Sequence, residues 1–262
     1  MPTHTSTAVY LYCVVRAPRP PAVARVPRGL PGATRPAPHA LGKLLWLITA
    51  DVPLDVYGAE VLEPRLRDLE WVSQAAIAHE AVVEHFARAT GAVVIPAKLF
   101  TMFSSQKRAL DEIGDRRTSI ERAMKHISGS EEWGVRVSRI RQTQPVQAGL
   151  PSRPASGAAF LAARKSARDA SASRRAAAGA AADDAFVRLG RHAKDVRRRE
   201  ARQEPGANPP ILEAAFLIPA RARARFKAEA RRQVAACQAA GAELTLTGPW
   251  PAYNFIGSEV SS

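Results

Sequence analysis

The sequence predicts an α+β protein of two domains, the second a ferredoxin-like βαββαβ unit closed by an extended aromatic tail. Three observations carry that reading. Strand-like and helix-like apolar periods follow one another along 262 residues with no internal repeat. A Ser128-Gly-Ser130 break separates two such sets. Beyond it the order is strand, helix, possible strand, strand, helix, strand. The expected domains are 1–130, with a Pro-rich loop over 17–40, and 131–262, with a docked tail over 248–262.

In the first half, Val9–Val15 is β-branched and aromatic and reads as a strand buried on both faces. Ala17–Pro38 holds seven prolines. Each fixes φ and lacks an N–H, so the stretch is neither helix nor central strand but a surface loop, extended in places, with its arginines open to solvent or to an acidic partner. Leu44–Ala50 is a second buried strand and Pro53–Gly58 a turn. A helix is expected from about Glu63 to Ala89. Its stripe is Leu69, Val72, Ala76, His79, Val83 and Phe86, which makes His79 a hydrogen-bonded core histidine. Gly91 ends it, 92–96 is a third strand with Pro96 at its close or edge, and Ser104 caps a helix to about Lys125.

In the second half, Trp133–Ile140 alternates as a half-buried strand, and Pro145–Pro154 is a loop. Ala158–Ala193 is Ala- and Arg-rich and strongly helical by propensity. Lys194–Gln203 reads either as the helix end or as a short edge strand. Gln203–Pro210 is a turn. Ile211–Ile218 is a strand, Ala220–Ala240 a helix closed by Gly241, and Glu243–Thr247 the last strand. Gly248-Pro249 stops it, and Pro249 and Pro251 hold Trp250 extended between them. Tyr253 and Phe255 follow at period two and should share a face. Free ends are poor in aromatics, so this tail docks on the protein or on a partner. Pro249, Trp250, Pro251, Tyr253 and Phe255 are the candidate partner-binding or interdomain residues.

Composition bounds the chemistry. Cys13 and Cys237 are too few for a disulfide framework and sit in apolar patterns, so they are expected as buried thiols of a cytoplasmic protein. His79 and His85 are six apart, on different helix faces, whereas a His-Glu-x-x-His zinc site needs four. Phosphate-binding glycine loops and a Gly-x-Ser-x-Gly elbow are absent. Asp183-Asp184 lie in an Ala/Arg helix beside no titratable partner in sequence. A non-enzymatic protein without cofactor or metal is expected. No run of 18 apolar residues exists to span a membrane. Ala8–Val15 is short and follows no basic residue, so it makes a poor secretory signal. The formal net charge is +14. Residues 153–202 alone hold 13 Lys and Arg against 5 acids. That excess gives an alternative reading, a nucleic-acid-binding module using the Arg-rich 153–202 segment. Strands 133–140 and 211–218 lack the interleaved aromatics that base stacking uses.

Several segments resemble the gas vesicle protein GvpF/GvpL family. Thr247-Gly-Pro-Trp-Pro-Ala-Tyr-Asn-Phe255 is similar to its closing motif. Leu47–Leu54, Ala78–Val83, Val94–Phe103, Glu132–Val137 and Ala214–Ile218 resemble further family segments in the same order. Phe100 departs from it by standing where the family usually has Gly, whose positive φ a Phe adopts only at a cost. Ala252 and Asn254 replace Pro and Ser in the tail, and the 17–38 loop has no family counterpart. The resemblance implies an accessory or minor structural protein of gas vesicle assembly, in the cytoplasm and on the vesicle. Its implied partners are the hydrophobic shell protein GvpA, whose aggregation it would limit during nucleation, and other accessory proteins. A shell subunit exposes apolar surface before assembly, and a protein covering it needs an apolar patch within a charged rim. The tail aromatics either supply that patch or seal the groove between the two domains.

Overall fold

The computed structural model describes residues 6–89, 91–140, 156–200 and 210–257. The first half runs β1 (Thr7–Arg16), β2 (Ala37–Ala40), β3 (Leu45–Pro53), α1 (Leu54–Tyr57), α2 (Ala59–Arg65), α3 (Leu69–Ala87), β4 (Val93–Pro96), β5 (Met102–Phe103), α4 (Gln106–Asp115) and α5 (Arg117–Ile127). The second runs β6 (Ser130–Arg139), α6 (Gly157–Gly190), β7 (Asp195–Arg199), β8 (Pro210–Pro219), α7 (Arg223–Ala239) and β9 (Ala242–Trp250). Helices and strands thus mix along the chain, and the strands form two sheets. By contact the chain separates into two units. One holds the described residues up to Glu131 and again from Trp250; the other is Glu132–Pro249. The expected loop over Pro145–Pro154 and the turn over Gln203–Pro210 fall almost wholly outside the described residues.

In the first unit the sheet order is β2-β3-β1-β4, with β5 also on β1. β1 pairs antiparallel with β3 through a register shift between Leu11 and Cys13. That bulge resets the alternation of faces. Ala8, Tyr10 and Tyr12 and then Cys13 and Val15 therefore all enter one core cluster, together with Val82, Val83 and Phe86 of α3. Val9, Leu11 and Val14 are buried too, and α4 and α5 pack on β1, β5 and β4.

Four expectations change here. The helix over 63–89 is two, because Asp68 caps α3 by accepting from the Glu70 and Trp71 amides at 3.0 and 3.2 Å. A cap satisfies amides that a continuous helix through a Pro64-containing turn does not. The buried stripe keeps His79, Val83 and Phe86 but leaves Leu69 78% exposed. The helix over 104–125 is capped by Ser105 instead and breaks at Arg116. The Pro-rich stretch is not simply solvated. Val26 and Leu30 are buried, the Leu30 N–H donates to the Tyr12 hydroxyl at 2.9 Å, and the Tyr57 hydroxyl donates to the Pro31 carbonyl at 2.9 Å. Gly29 sits against Tyr12 at φ +77°, where an added Cβ would lie 2.1 Å from the hydroxyl oxygen. The end of the stretch is an edge strand, β2, which tolerates Pro38 because an edge strand leaves half its N–H groups outside the ladder.

Phe100 is the one non-glycine with positive φ among the described residues, at 64°. The left-handed backbone costs about 1–2 kcal/mol. It is held by the Phe100 N–H donating to the Tyr10 hydroxyl at 3.3 Å and by the ring stacking on Trp71, 5.4 Å between centroids and 7° between planes.

In the second unit the sheet order is β7-β8-β6-β9. The ambiguous 194–203 stretch resolves as the edge strand β7, antiparallel to β8. Trp133, Val135 and Val137 of β6, Leu212, Ala214, Phe216 and Ile218 of β8, and Ala242 and Leu244 of β9 form one apolar face. It meets Ala178, Ala182, Ala185 and Leu189 of α6 and Phe226, Ala230 and Cys237 of α7. The small alanines let α6 lie close to α7 and β8. Gly241, at φ +78°, turns α7 into β9.

Candidate functional site

The tail grows out of β9. The strand does not stop at Gly248 but runs on to Trp250. Gly248 has φ +119°, and an added Cβ would lie 2.9 Å from the Glu132 carbonyl oxygen and 3.3 Å from the Trp133 ring. Only glycine passes there without displacement. After Trp250 the chain turns inward on the first unit. Pro251, Ala252, Phe255 and Ile256 are buried. Tyr253–Phe255 is a 3₁₀ turn, started by the Tyr253 N–H donating to the Pro251 carbonyl at 2.8 Å. The extended period-two arrangement expected for Tyr253 and Phe255 is therefore not formed.

The turn aims the Tyr253 hydroxyl at α3, where it donates to Glu80 Oε2. The five candidate residues thus divide. Pro251, Tyr253 and Phe255 face inward as anchors, while Pro249 and Trp250 stay exposed, Trp250 at 41%. In the sequence Glu80 stands out only as the neighbour of His79 in the rejected metal reading, not as a partner of the tail. It sits one residue past the buried His79, a position that periodicity alone assigns to the margin of the helix face.

Burial sets the charges beneath the tail. It raises the Glu80 carboxyl above its ordinary value, against the pull of the Tyr253 hydroxyl and with a small push from Glu84. It drives the Tyr253 phenol far up, and the Glu80 hydrogen bond adds to that. It likewise raises the Cys13 thiol, so phenol and thiol both stay protonated at neutral pH. Glu80 Oε1 has no hydrogen-bond partner among the described residues.

His79 is 4% exposed, and burial holds its imidazole down at about 4. The Tyr10 hydroxyl, which accepts from Phe100, lies 2.7 Å from His79 Nδ1. A neutral ring accepts that proton at Nδ1 and carries its own on Nε2. The Ala97 backbone pulls weakly the other way, yet Nε2 makes no hydrogen bond of acceptable geometry among the described residues. His79 is a core group tying β1, α3 and the Phe100 turn together. Tyr253→Phe should strip Glu80 of its partner and cost about 1–3 kcal/mol. Hydrogen exchange over 250–257 should accelerate at least tenfold; unchanged exchange with unchanged stability would show that the hydroxyl does not fasten the tail.

Elsewhere, Asp183 and Asp184 are ion-pair partners of Arg198 at 3.3 Å and Arg188 at 2.6 Å. No group of three His, Cys, Asp or Glu able to hold a metal occurs among the described residues. Arg28, Ala33 and Arg35 line an open hollow of about 420 Å³ in the Pro-rich loop.

Comparison with known proteins follows the same outline. The sequence matches the family described as gas vesicle synthesis protein GvpL/GvpF over residues 8–257. It is 32% identical over 266 residues to gas vesicle protein L of Streptomyces sp. (strain CB03234), covering 97% of this chain and 94% of that protein. The fold is similar to the crystal structure of gas vesicle protein GvpF from Anabaena sp. PCC7120, with a TM-score of 0.66 and 16% identity, over 96% of this chain and 97% of that one. The structure of GvpF from Microcystis aeruginosa matches with a TM-score of 0.62 and 17% identity, over 95% and 99% of the two chains.

Proposed function

Because the chain belongs to the gas vesicle synthesis protein GvpL/GvpF family, whose role lies in gas vesicle formation, we propose that it is an accessory or minor structural protein that binds the shell protein GvpA and limits its aggregation during nucleation. The observation that carries this is the division of labour in the tail. Phe255, Ile256 and the Tyr253–Glu80 hydrogen bond fix the segment, and the fixed segment holds Trp250 half exposed beside Pro249. A partly exposed Trp on an anchored segment is the residue type that dominates interface hot spots. The net charge of +14 keeps such a complex soluble.

The same reading places the protein in the cytoplasm and on the vesicle, with other accessory proteins as further partners. No helix among the described residues is long and apolar enough to cross a membrane. The domain reading, split near residue 131, is supported by the separate core clusters of the two units. The ferredoxin-like reading of the second is supported by its strand order β7-β8-β6-β9 and by α6 and α7 both packing on β8.

The test is co-expression with the shell protein, measuring its soluble fraction and its co-purification. The wild-type chain should raise the first and show the second. Trp250→Ala should weaken capture at least tenfold, about the loss of one aromatic anchor, while thermal stability stays near wild type. A wild-type chain that leaves the shell protein insoluble and unbound ends the shell-binding reading. Full capture by the Trp250 variant ends only the role of the tail.

A further inference from the structure

Residues Gly157–Ala177, the first 21 of the 34 residues of α6, are exposed throughout except for the half-buried Ser171. At 1.5 Å per residue this arm is about 30 Å long. It continues a stripe that is buried farther along. Ala178, Ala182, Ala185 and Leu189 recur at threes and fours against the core. The same stripe runs back through Ser171, Arg168, Arg164 and Phe160, where nothing among the described residues covers it. The arm carries Arg164, Lys165, Arg168, Arg174 and Arg175 against Asp169 alone, a balance of +4. Phe160 and Leu161 at its outer end are 51% and 65% exposed.

The first unit carries the opposite surface. Residues 51–79 hold six acids, all exposed, against Arg65 and Arg67, a balance of −4 within a chain of +14. Glu60, Glu63 and Glu70 on α2 and α3 are exposed. Among them stand Leu66 at 47%, Leu69 at 78% and Ile77 at 69% exposure. Glu70 and Ile77 lie two turns apart on the side of α3 opposite its buried stripe.

We infer that the protein self-associates head to tail: the basic arm of α6 in one copy docks on the acidic, leucine-studded face of α2 and α3 in a second copy. Each surface pairs charge of one sign with exposed apolar side chains, and the two are complementary in both respects. A nucleic-acid backbone would match the charge but offer nothing to Phe160 and Leu161. The two surfaces lie on different units of the chain, so the contact is heterologous and propagates unless a ring closes it. One face of an arm about 30 Å long is less than the standard interface of roughly 800 Å² per partner, so the association is weak and strongly screened by salt.

The experiment is sedimentation velocity on the full chain from about 5 to about 200 μM, in about 50 mM and about 500 mM salt. Weight-average mass should rise at least twofold with concentration at low salt and stay monomeric at high salt. Arg164→Glu with Arg168→Glu should weaken association at least tenfold, and so should Glu63→Arg with Glu70→Arg. All four residues are exposed, so the melting temperature of both variants should stay near wild type. Mixing the two variants should restore association, because reversed arm meets reversed face. A mass independent of concentration, insensitivity to both reversals, or a mixture that stays monomeric overturns the proposal. So does saturable binding of a short DNA duplex at physiological salt that the arm variant loses while its mass behaviour is unchanged.

Discussion

Phe216→Ala is expected to cost the second unit about 3–5 kcal/mol and to lower its thermal midpoint by roughly 10–15 °C. Phe216 is fully buried on β8, between β7 and β6. Its ring sits 5.9 Å from Phe186 and 5.8 Å from Phe226, and Phe226 in turn lies 5.9 Å from Trp133. The partners around the void come from a strand and two helices that are hydrogen-bonded in place, so they relax little and the cavity persists. Phe186 is only partly buried, so Phe186→Ala should cost less than half as much. Calorimetry decides between the two. A Phe216→Ala loss below about 1 kcal/mol would mean that the site collapses and that this aromatic row does not hold the sheet to its helices.

Acidification from pH 7 to pH 4 is expected to remove about 3 kcal/mol of stability from the first unit through His79 alone. The folded imidazole is held near 4 against an ordinary 6.5. Above about 6.5 it is neutral both folded and unfolded, and the stability is fully present. Below that the unfolded chain takes up the proton first, so stability falls with pH until the folded ring also protonates near 4. The groups around the ring, the Tyr10 hydroxyl and the stacked Tyr12 ring at 5.6 Å, offer no charge to offset the imidazolium.

Glu80 acts with the opposite sign. Its raised carboxyl favours the folded state as pH falls through its folded pKa, and so it partly offsets the loss. Glu229, lowered by Arg232 and Gln233, loses its contribution only below the ordinary carboxylate range. Urea midpoints at pH 7, 5.5 and 4.5 measure the sum. His79→Asn, which keeps an acceptor near Nδ1, should flatten the curve between pH 6.5 and 4. A His79 ring that titrates near 6.5 by NMR would contradict the burial that the fold gives it.

The amino-acid order by itself settled the main strands and helices and their succession, but not β2, β5, α1 or the breaks between α2 and α3 and between α4 and α5. Val9–Val15, Trp133–Ile140 and Ile211–Ile218 were legible as strands because their periods and β-branched content are local properties. The buried end of α3 was legible for the same reason. The backbone at Phe100 was not: a Phe where the resembled family carries Gly leaves the local turn open, and the fold keeps φ positive there at 64°. Nor were the partners of the tail legible. Tyr253 meets Glu80 across 173 positions, a distance over which sequence pattern carries no signal, and so the tail was grouped with its chain neighbours instead of with α3.

Tertiary structure also decided the breaks. Asp68 capping α3 and the bulge that turns Tyr12 and Cys13 into one core are choices between locally acceptable backbones. Packing and hydrogen bonding tip them, by energies of the order of one cap or one buried ring. Propensity fixes what a segment can be. Which residues of the tail are anchors and which stay exposed depends on the surface it lands on, and that surface exists only once the sheet and α3 have closed.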